Sequence, residues 1–297
     1  MHDFLEQYNI VWSSPSRNSG ESMPCGGHDI GLNVWVEADP ATGAGDLLFY
    51  IDRAGSFDEN NQMLKLGRVR LRLSPNPFAA GLPFRQELKL RQGRVEIVAG
   101  DPAVQIVLWV EVERPVIHVE VVATQLLSLV ASYENWRLAV REIPYERRQP
   151  CASWVSYPDT VTTEPDTVAF AGDAVCFYHR NRNDRLLYDF LVEQQGLEPV
   201  KAEIPNTQRD RTFGGLMSGP GLVAAGVDEG RYGQTPYRGW ALRSEQPATH
   251  QRLDIALHTA QSESLAEWQA ALDVLALAAS RDTAAARNAT LAWWEQF

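Results

Sequence analysis

Residues 93–123 read GRVEIVAGDPAVQIVLWVEVERPVIHVEVVA and indicate the fold class most directly. They contain three short runs rich in β-branched residues, Gly93–Ala99, Val104–Val112 and Pro115–Ala123. The first two runs are separated by Gly100-Asp101-Pro102, a strong turn signal. Runs of this length that follow one another without an intervening helix predict neighbouring antiparallel strands.

The same pattern continues on both sides of this segment. Leu66–Leu73 (LGRVRLRL) alternates between apolar residues and arginines, which predicts a half-buried strand with Arg68, Arg70 and Arg72 facing solvent. Leu186–Gln195 fits either a strand or a short helix. Further strands are predicted at Ile30–Glu37, Gly45–Ile51, Phe84–Leu90, Asn135–Glu142, Asp173–His179, Phe213–Ser218, Leu222–Val227, Tyr237–Arg243 and Gln251–His258. The pattern predicts a mainly β fold, a large antiparallel β-sandwich (supersandwich), over residues 1–261.

The apolar period changes near Ser262. Leucines, alanines and Trp268 then recur at steps of three and four, which predicts a helix that begins near Ser262 and Glu263. A second helix is predicted from Asp282 to the last residue, where it presents Trp293, Trp294 and Phe297. Residues 262–297 are therefore predicted to form a helical linker segment. Its aromatic end should either fold back on the sandwich or continue into a larger protein, because exposed tryptophans forgo favourable burial. The proline-rich segment Pro144–Pro165 is predicted to cross between parts of the sandwich.

Composition limits the classes of partner. The chain has 27 basic and 38 acidic residues among 297, so its net charge is −11. The electrostatic field of a protein with this net charge repels phosphate backbones and anionic lipids. This argues against nucleic acid and against a membrane as partners. The first residues lack the basic and apolar regions of a signal peptide. The protein is therefore expected to be cytoplasmic, or periplasmic or secreted if a signal peptide was removed.

Two polar segments predict a carbohydrate site. The segment Trp12–Glu37 (WSSPSRNSGESMPCGGHDIGLNVWVE) has a long polar loop before its strand, and SFDENN at residues 56–61 follows the next strand. Consecutive antiparallel strands place these two segments at the same end of the sheet, so His28 and Asp29 are expected to face Asp58–Asn61. Carboxylates and planar amides bind vicinal hydroxyls, and aromatic rings stack on sugars. The predicted binding residues are Trp12, His28, Asp29, Phe57, Asp58, Glu59 and Asn60. Ordinary polar loops that cap the sandwich are the alternative interpretation.

Other chemistry has weaker signals. The three cysteines and six histidines lack the spacing of metal ligands, so neither a metal nor a cofactor is predicted. Nucleophile motifs are weak, and Asp29, Asp52, Asp58 and Glu59 could supply a carboxylate pair only as a non-specific signal, so no catalytic residue is assigned. His118 and His258 lie within strand patterns and are interpreted as strand residues. Trp35 and Trp109 fall on the polar face of their strands. A tryptophan in that position either binds a flat ligand or lies under another layer, and the second interpretation is preferred.

The residues quoted so far resemble a known pattern. Residues 12–97 look like the opening domain of bacterial proteins predicted to be six-hairpin-type glycoside hydrolases, a domain often described only as of unknown function. The layout is also similar to the N-terminal β-sandwich of glycoside hydrolase family 95, in which a Pro- and Gly-rich turn occupies the place of Met23–Gly31. In such enzymes the sandwich is followed by helical linkers and an (α/α)₆ barrel that carries the catalytic acid and base. The resemblance therefore implies a non-catalytic N-terminal domain that packs on a barrel and contributes to carbohydrate binding.

Two alternatives from other classes remain open. A free-standing, lectin-like module would need a groove lined by the predicted sugar-binding residues. A sandwich-type epimerase or lyase would need histidines and carboxylates that converge in a concave sheet.

Overall fold

A computed structural model describes residues 4–39, 42–148, 160–184 and 186–296. Strands hold 49% of the residues and helices 19%, which confirms a mainly β fold. The strands of the described residues are β1 (Ile10–Trp12), β2 (Met23–Gly27), β3 (Ile30–Ala38), β4 (Gly45–Arg53), β5 (Gly67–Ser74), β6 (Phe84–Lys89), β7 (Arg94–Ala99), β8 (Val104–Val110), β9 (Val116–Asn135), β10 (Arg141–Glu142), β11 (Thr162–Thr163), β12 (Thr167–Ala171), β13 (Ala174–Arg180), β14 (Arg211–Ser218), β15 (Leu222–Tyr232), β16 (Thr235–Ser244) and β17 (Ala248–Gln261). The α-helices are α1 (Tyr145–Arg148), α2 (Leu187–Gln194), α3 (Leu265–Arg281) and α4 (Thr283–Trp294).

The long strand β9 belongs to two sheets. Its first half pairs with β8 and β17 and continues the first sheet, whose strand order is β1-β6-β7-β8-β9-β17-β14-β13-β12. Its second half pairs with β5 and β16 and continues the second sheet, β2-β3-β4-β5-β9-β16-β15. All of these pairs are antiparallel, as predicted. The strands β10 and β11 form a separate two-stranded sheet.

The core lies between the two sheets. Alternate residues of the second sheet, such as Val34, Phe49 and Val69, share one buried cluster with Ile97 and Ile106 of the first sheet. Each side chain of this kind contributes roughly 1.5–3 kcal/mol when it is fully buried. The alternation read from the sequence is therefore the pattern that closes the sandwich.

The predicted exposure of the β5 arginines is wrong for Arg68. Its side chain is only 2% exposed, because the hairpin of β15 and β16 curls over this outer face of the second sheet. The Arg68 guanidinium carbon lies 4.0 Å from the ring centroid of Tyr232, and Nε donates to Glu134 Oε2 over 2.5 Å. The same hairpin covers Trp35, whose ring centroid is 6.1 Å from that of Tyr232. The prediction that Trp35 lies under another layer is thus confirmed.

The helix α3 lies on the outer face of the first sheet. Its N-cap is Ser264, whose Oγ accepts a hydrogen bond from Glu267 N over 3.2 Å, as is typical of a helix start. Trp268 is fully buried, with its ring 5.6 Å from Tyr178 and 5.9 Å from His258. The aromatic side of this helix therefore packs on the sandwich.

The helix α4 folds back on the same sheet. Arg287 Nη1 donates to Glu120 Oε2 over 2.8 Å, and Glu120 Oε1 accepts from Trp109 Nε1 over 3.0 Å. Trp109 is buried and stacks on His118 with a centroid distance of 4.3 Å. The indole of Trp294 packs directly on Gly93. Trp294 therefore folds back on the sandwich, and Phe297 lies outside the described residues. Continuation into a larger protein stays a prediction.

Several predicted boundaries differ from the structure. Met23–Gly27 was expected in a loop but pairs with β3 as a strand, so the loop is shorter than predicted. The predicted strand Asn135–Glu142 is wrong, because β9 ends at Asn135 and only a two-residue strand follows at Arg141. The ambiguous segment at 186–195 contains the helix α2. Half of Pro144–Pro165, residues 149–159, lies outside the described residues.

Candidate functional site

The β2–β3 turn and the β4–β5 loop lie at the same end of the second sheet, as predicted. Ala54 N donates to Asp29 O over 2.8 Å, and Arg53 Nε lies 3.1 and 3.0 Å from the two carboxylate oxygens of Asp29. His28 has a positive φ of 49° and places Nδ1 2.7 Å from Asp29 Oδ1. The turn is therefore held by the start of the loop that follows β4.

The expected facing of His28 and Asp29 toward Asp58–Asn61 is not what the structure shows. Among the described residues, the hydrogen bonds of the His28 and Asp29 side chains join them to each other and to Arg53. Asp58 is buried and caps its own loop, since Oδ1 accepts from Asn60 N over 3.0 Å and from Gln62 N over 2.8 Å. The side chains of His28 and Asp29 and that of Asp58 therefore belong to separate hydrogen-bond networks.

The predicted residues Glu59 and Asn60 bond to distant parts of the chain. Asn60 Nδ2 donates to Thr162 O over 2.6 Å, in β11. Glu59 Oε2 lies 3.1 Å from Nε2 of His179, in β13. Both side chains are buried, so they tie the 58–62 loop to the neighbouring strands.

His179 is the centre of a buried charge network. Its Nδ1 lies 3.0 Å from Asp166 Oδ1, and Asp166 also bonds Arg137, with Nε 3.0 Å away, and Asn135, with Nδ2 2.7 Å away. Burial alone would lower the pKa of His179, but the hydrogen bonds to Asp166 and Glu59 outweigh it and raise the pKa to about 9. Burial would likewise raise the pKa of Asp166, but Arg137 and His179 hold it below its usual range. The network is thus an ion cluster at neutral pH.

Within the described ranges, a histidine contacts two carboxylates at two places, and both histidines are buried. His118 bonds Asp254 through Nδ1 at 2.7 Å and Glu111 through Nε2 at 2.9 Å, in the same manner as His179. Burial lowers the pKa of His118, yet its two carboxylate partners raise it above the ordinary value. Because both nitrogens of each ring already contact a carboxylate, neither histidine has a free nitrogen for proton abstraction or a metal.

A groove of about 460 Å³ opens beside the 58–62 loop. We call it the loop-end groove; its lining includes Gln62, Lys65, Trp136, Arg137, Arg141 and Thr163. The half-buried ring of Trp136 stands edge-on to Tyr50, with centroids 5.9 Å apart and planes at 90°. The groove therefore combines an aromatic platform with cationic and amide side chains.

The predicted residues support the groove from beneath. Asp58 accepts a hydrogen bond from the backbone N–H of Gln62, and Asn60 donates one to the carbonyl of Thr162, next to the lining residue Thr163. Glu59 is linked through His179 and Asp166 to Arg137. Burial raises the pKa of Asp58 to about 6 despite these backbone hydrogen bonds. Asp58, Glu59 and Asn60 thus fix the loop beside the groove and, through His179 and Asp166, its Arg137. The lining ring Trp136 was not among the predicted residues.

The two predicted aromatic platforms lie apart from each other. Trp12 is on β1, opposite Gln86 of β6, and packs half-buried against the core at the edge of the first sheet. Phe57 pairs through its backbone with Met63, and its carbonyl accepts from Asn181 Nδ2 over 3.2 Å. Since Met63 lines the loop-end groove, Phe57 adjoins it, whereas Trp12 belongs to another part of the molecule.

The cysteines show no paired chemistry in the described part of the chain. Cys25 and Cys176 are free thiols, and burial raises the pKa of Cys25 to about 12. Cys151 lies outside the described residues. Over the described ranges, no group of three or more histidine, cysteine, aspartate or glutamate side chains is arranged to hold a metal ion. None of the described helices is long and apolar enough to cross a membrane.

Comparison with known proteins identifies the family. A family model described as "Domain of unknown function (DUF5703)" matches residues 11–297. The chain belongs to this family. The resemblance to a domain of unknown function is thus confirmed for the DUF5703 chain, and the similarity to glycoside hydrolase family 95 stays a prediction. No curated protein matches.

A comparison with solved structures also gave a weak match to this DUF5703 member. The protein named "Putative kojibiose phosphorylase from human microbiome" aligns with a TM-score of 0.48 and 8% sequence identity. The alignment covers 97% of this chain and 38% of the phosphorylase. The DUF5703 chain therefore spans well under half of the length of that protein.

Proposed function

We propose that this chain is the non-catalytic N-terminal domain of a glycoside hydrolase and that it binds carbohydrate in the loop-end groove. The observation that carries the proposal is Trp136, a half-buried ring that lines a groove together with Gln62, Lys65 and Arg137. A flat apolar surface beside a few fixed polar groups is the usual composition of a sugar site.

The groove is organised before any ligand arrives. The buried Arg137 is fixed by Asp166, so this cationic donor keeps its place, and the exposed Lys65 pairs with Asp52 at 2.7 Å. Gln62 Oε1 is buried without a hydrogen-bond partner among the described residues. A site that is already ordered loses less conformational entropy on binding.

The C-terminal helices supply a surface for a second domain. Val274 and Leu277 of α3 are 70% and 51% exposed, and Trp293 of α4 is 42% exposed. Side chains of this kind favour burial against another surface. Under this proposal the outer faces of α3 and α4 pack on the helical catalytic barrel implied by the resemblance in residues 12–97.

The sugar-binding part of the proposal is tested on this chain alone. A glycan array should show specific binding. Isothermal titration with the best ligand should show that Trp136→Ala raises Kd by about fivefold, since stacking of this kind contributes about 1 kcal/mol. Trp293→Ala is the matched control, because it removes an exposed indole on α4 and should leave Kd unchanged. Equal affinities of the Trp136→Ala variant and the unaltered chain would contradict the proposal.

The proposal that this chain is one domain of a glycoside hydrolase is tested by the native gene sequence and by an activity assay. The native coding sequence should continue past Phe297 for several hundred residues with helical periodicity. An in-frame stop directly after Phe297 would overturn the proposed barrel. Turnover of aryl-glycosides by this chain alone would contradict its non-catalytic role.

A further inference from the structure

A second groove, of about 670 Å³, lies on the outer face of the second sheet. We call it the arginine groove; its lining includes Asn18, Glu37, Asp46, Arg70, Arg72 and Tyr232. It runs between the tip of the β15–β16 hairpin and the ends of β3, β4 and β5. The loop-end groove involves residues that precede β5, whereas this groove involves its last residues, so the two grooves lie at opposite ends of that strand.

The floor of the arginine groove is a rigid ion network. Arg70 Nε donates to Glu134 Oε1 over 2.5 Å, and Nη1 donates to Asp46 Oδ2 over 2.7 Å. Glu134 is buried and also bonds Arg68, which lies under the Tyr232 ring. Charged groups held in this way keep one geometry without a ligand.

The hairpin tip closes one wall. The hydroxyl of Tyr232 accepts from Ser19 N over 3.0 Å and donates to Glu37 Oε2 over 2.8 Å. Glu37 Oε2 also accepts from the buried Trp35 Nε1 over 2.9 Å. A single tyrosine therefore joins the hairpin to the polar loop before β2 and to β3.

The charges that line the groove are balanced. Its three carboxylates belong to Glu37, Asp39 and Asp46, and its three guanidinium groups belong to Arg70, Arg72 and Arg231. Asp46 is bonded to Arg70 at 2.7 Å, whereas Arg72 reaches it only through Nε at 3.3 Å and stays 48% exposed. The forked end of Arg72 is thus turned toward solvent with donors to offer. Donors and acceptors in a neutral groove suit a ligand that has many hydroxyls and no charge.

We propose that the arginine groove is a second carbohydrate-binding site that takes an uncharged oligosaccharide. Arg72 donates to sugar hydroxyls, and Glu37 accepts from them through the carboxylate oxygen that Trp35 and Tyr232 leave open. The net charge of −11 disfavours uronates and sulfated sugars, because the field of the whole molecule repels them. The site is separate from the loop-end groove and does not depend on it.

The test measures binding of maltotetraose, cellotetraose, xylotetraose and trigalacturonate to the chain by titration in NMR. At least one neutral tetrasaccharide should shift the resonances of Arg72 and Tyr232, and Arg72→Ala should raise its Kd at this site by about tenfold or more, as expected for loss of hydrogen bonds from a charged donor. Arg238→Ala is the matched control, since this arginine of β16 is similarly exposed, pairs with Glu229 and lies outside the lining.

The outcomes separate the two sites. Trp136→Ala should leave the shifts at Arg72 unchanged, and Arg72→Ala should leave binding in the loop-end groove unchanged. Absence of shifts at Arg72 with all neutral sugars, an unchanged Kd in Arg72→Ala, or tighter binding of trigalacturonate would each overturn the second site. Shifts at Arg72 without any at Trp136 would support it and would contradict the loop-end groove instead.

Discussion

His179 Nε2 lies 3.1 Å from Oε2 of Glu59, a residue 120 positions earlier in the chain. With Asp166 on the other nitrogen, this contact joins β13 to the loop after β4 and so fixes the base of the loop-end groove. A cation held by two carboxylates makes the stability of this end of the sandwich depend on pH.

We expect this network to lose stability in alkaline solution. The pKa of His179 is about 9 in the folded state, above the ~6.5 of an unfolded chain. Its contribution of about 3 kcal/mol is therefore complete below pH ~6.5 and is lost as the pH rises through about 9. Urea unfolding of the native chain and of His179→Gln from pH 6 to pH 10 measures the difference in their free energies of unfolding. Because both proteins keep His118, the contribution of His118 cancels in this difference. A difference that grows with pH would contradict the assignment.

Asp58→Asn should stabilise the protein near neutral pH. The pKa of Asp58 is raised to about 6, so the buried carboxylate is costly once it ionises, and an amide oxygen can accept the same two backbone N–H groups. The free energy of unfolding should rise by about 1–2 kcal/mol at pH 8 and change little at pH 4, where Asp58 is protonated in the folded state. Denaturant titrations at the two pH values check the sign. Asp58→Ala, which removes the hydrogen-bond acceptor, should lower the free energy of unfolding at both pH values.

Removing Glu134 should leave the buried Arg68 guanidinium without its anion, whereas Arg70 keeps its bond to Asp46. Glu134 is buried between Arg68 and Arg70, so Glu134→Gln should lower the free energy of unfolding by about 3–5 kcal/mol. Glu229→Gln, which breaks an exposed pair with Arg238, is the control and should cost no more than about 1 kcal/mol. Similar losses in the two variants would show that the floor of the arginine groove is not the fixed network described above.

Gly93→Ala should detach the end of α4. Gly93 has φ of 58°, and a Cβ there would overlap the indole of Trp294, whereas Gly172 has φ of 60° and open space around it. Both substitutions place an alanine in the left-handed backbone region, which costs about 1–2 kcal/mol. Only Gly93→Ala also displaces α4. Hydrogen exchange should therefore accelerate in α4 for Gly93→Ala and not for Gly172→Ala. Equal protection of α4 in the two variants would contradict this packing.

Local patterns in the sequence predicted most strands and their antiparallel pairing, because apolar and polar residues alternate along a strand that is buried on one face. The same patterns failed where a distant segment covers a face. Arg68 alternates as a solvent-facing residue does, and only the hairpin of residues 222–244, far along the chain, makes it a buried cation. Trp35 on the same outer face was interpreted correctly, since a large indole on a polar face already suggests a covering layer.

The candidate site was predicted in part for a related reason. Chain order places Asp29 and the 53–62 loop at one end of the sheet, and this was confirmed by the Ala54–Asp29 contact. It does not determine where side chains point. The partner of Glu59 is in β13, and the aromatic ring of the groove, Trp136, follows a strand whose end was misplaced. No local signal joins residues 59 and 179.

The shared strand β9 also has a consequence for how the chain folds. Its first half is complete only with β8 and β17, and its second half only with β5 and β16, so one continuous backbone carries the hydrogen bonding of both sheets. Neither sheet can open along β9 without straining the other, and many of its partners are far away in sequence. We therefore expect the sandwich to unfold in one cooperative transition and to refold slowly, as is usual for chains whose contacts are mostly non-local.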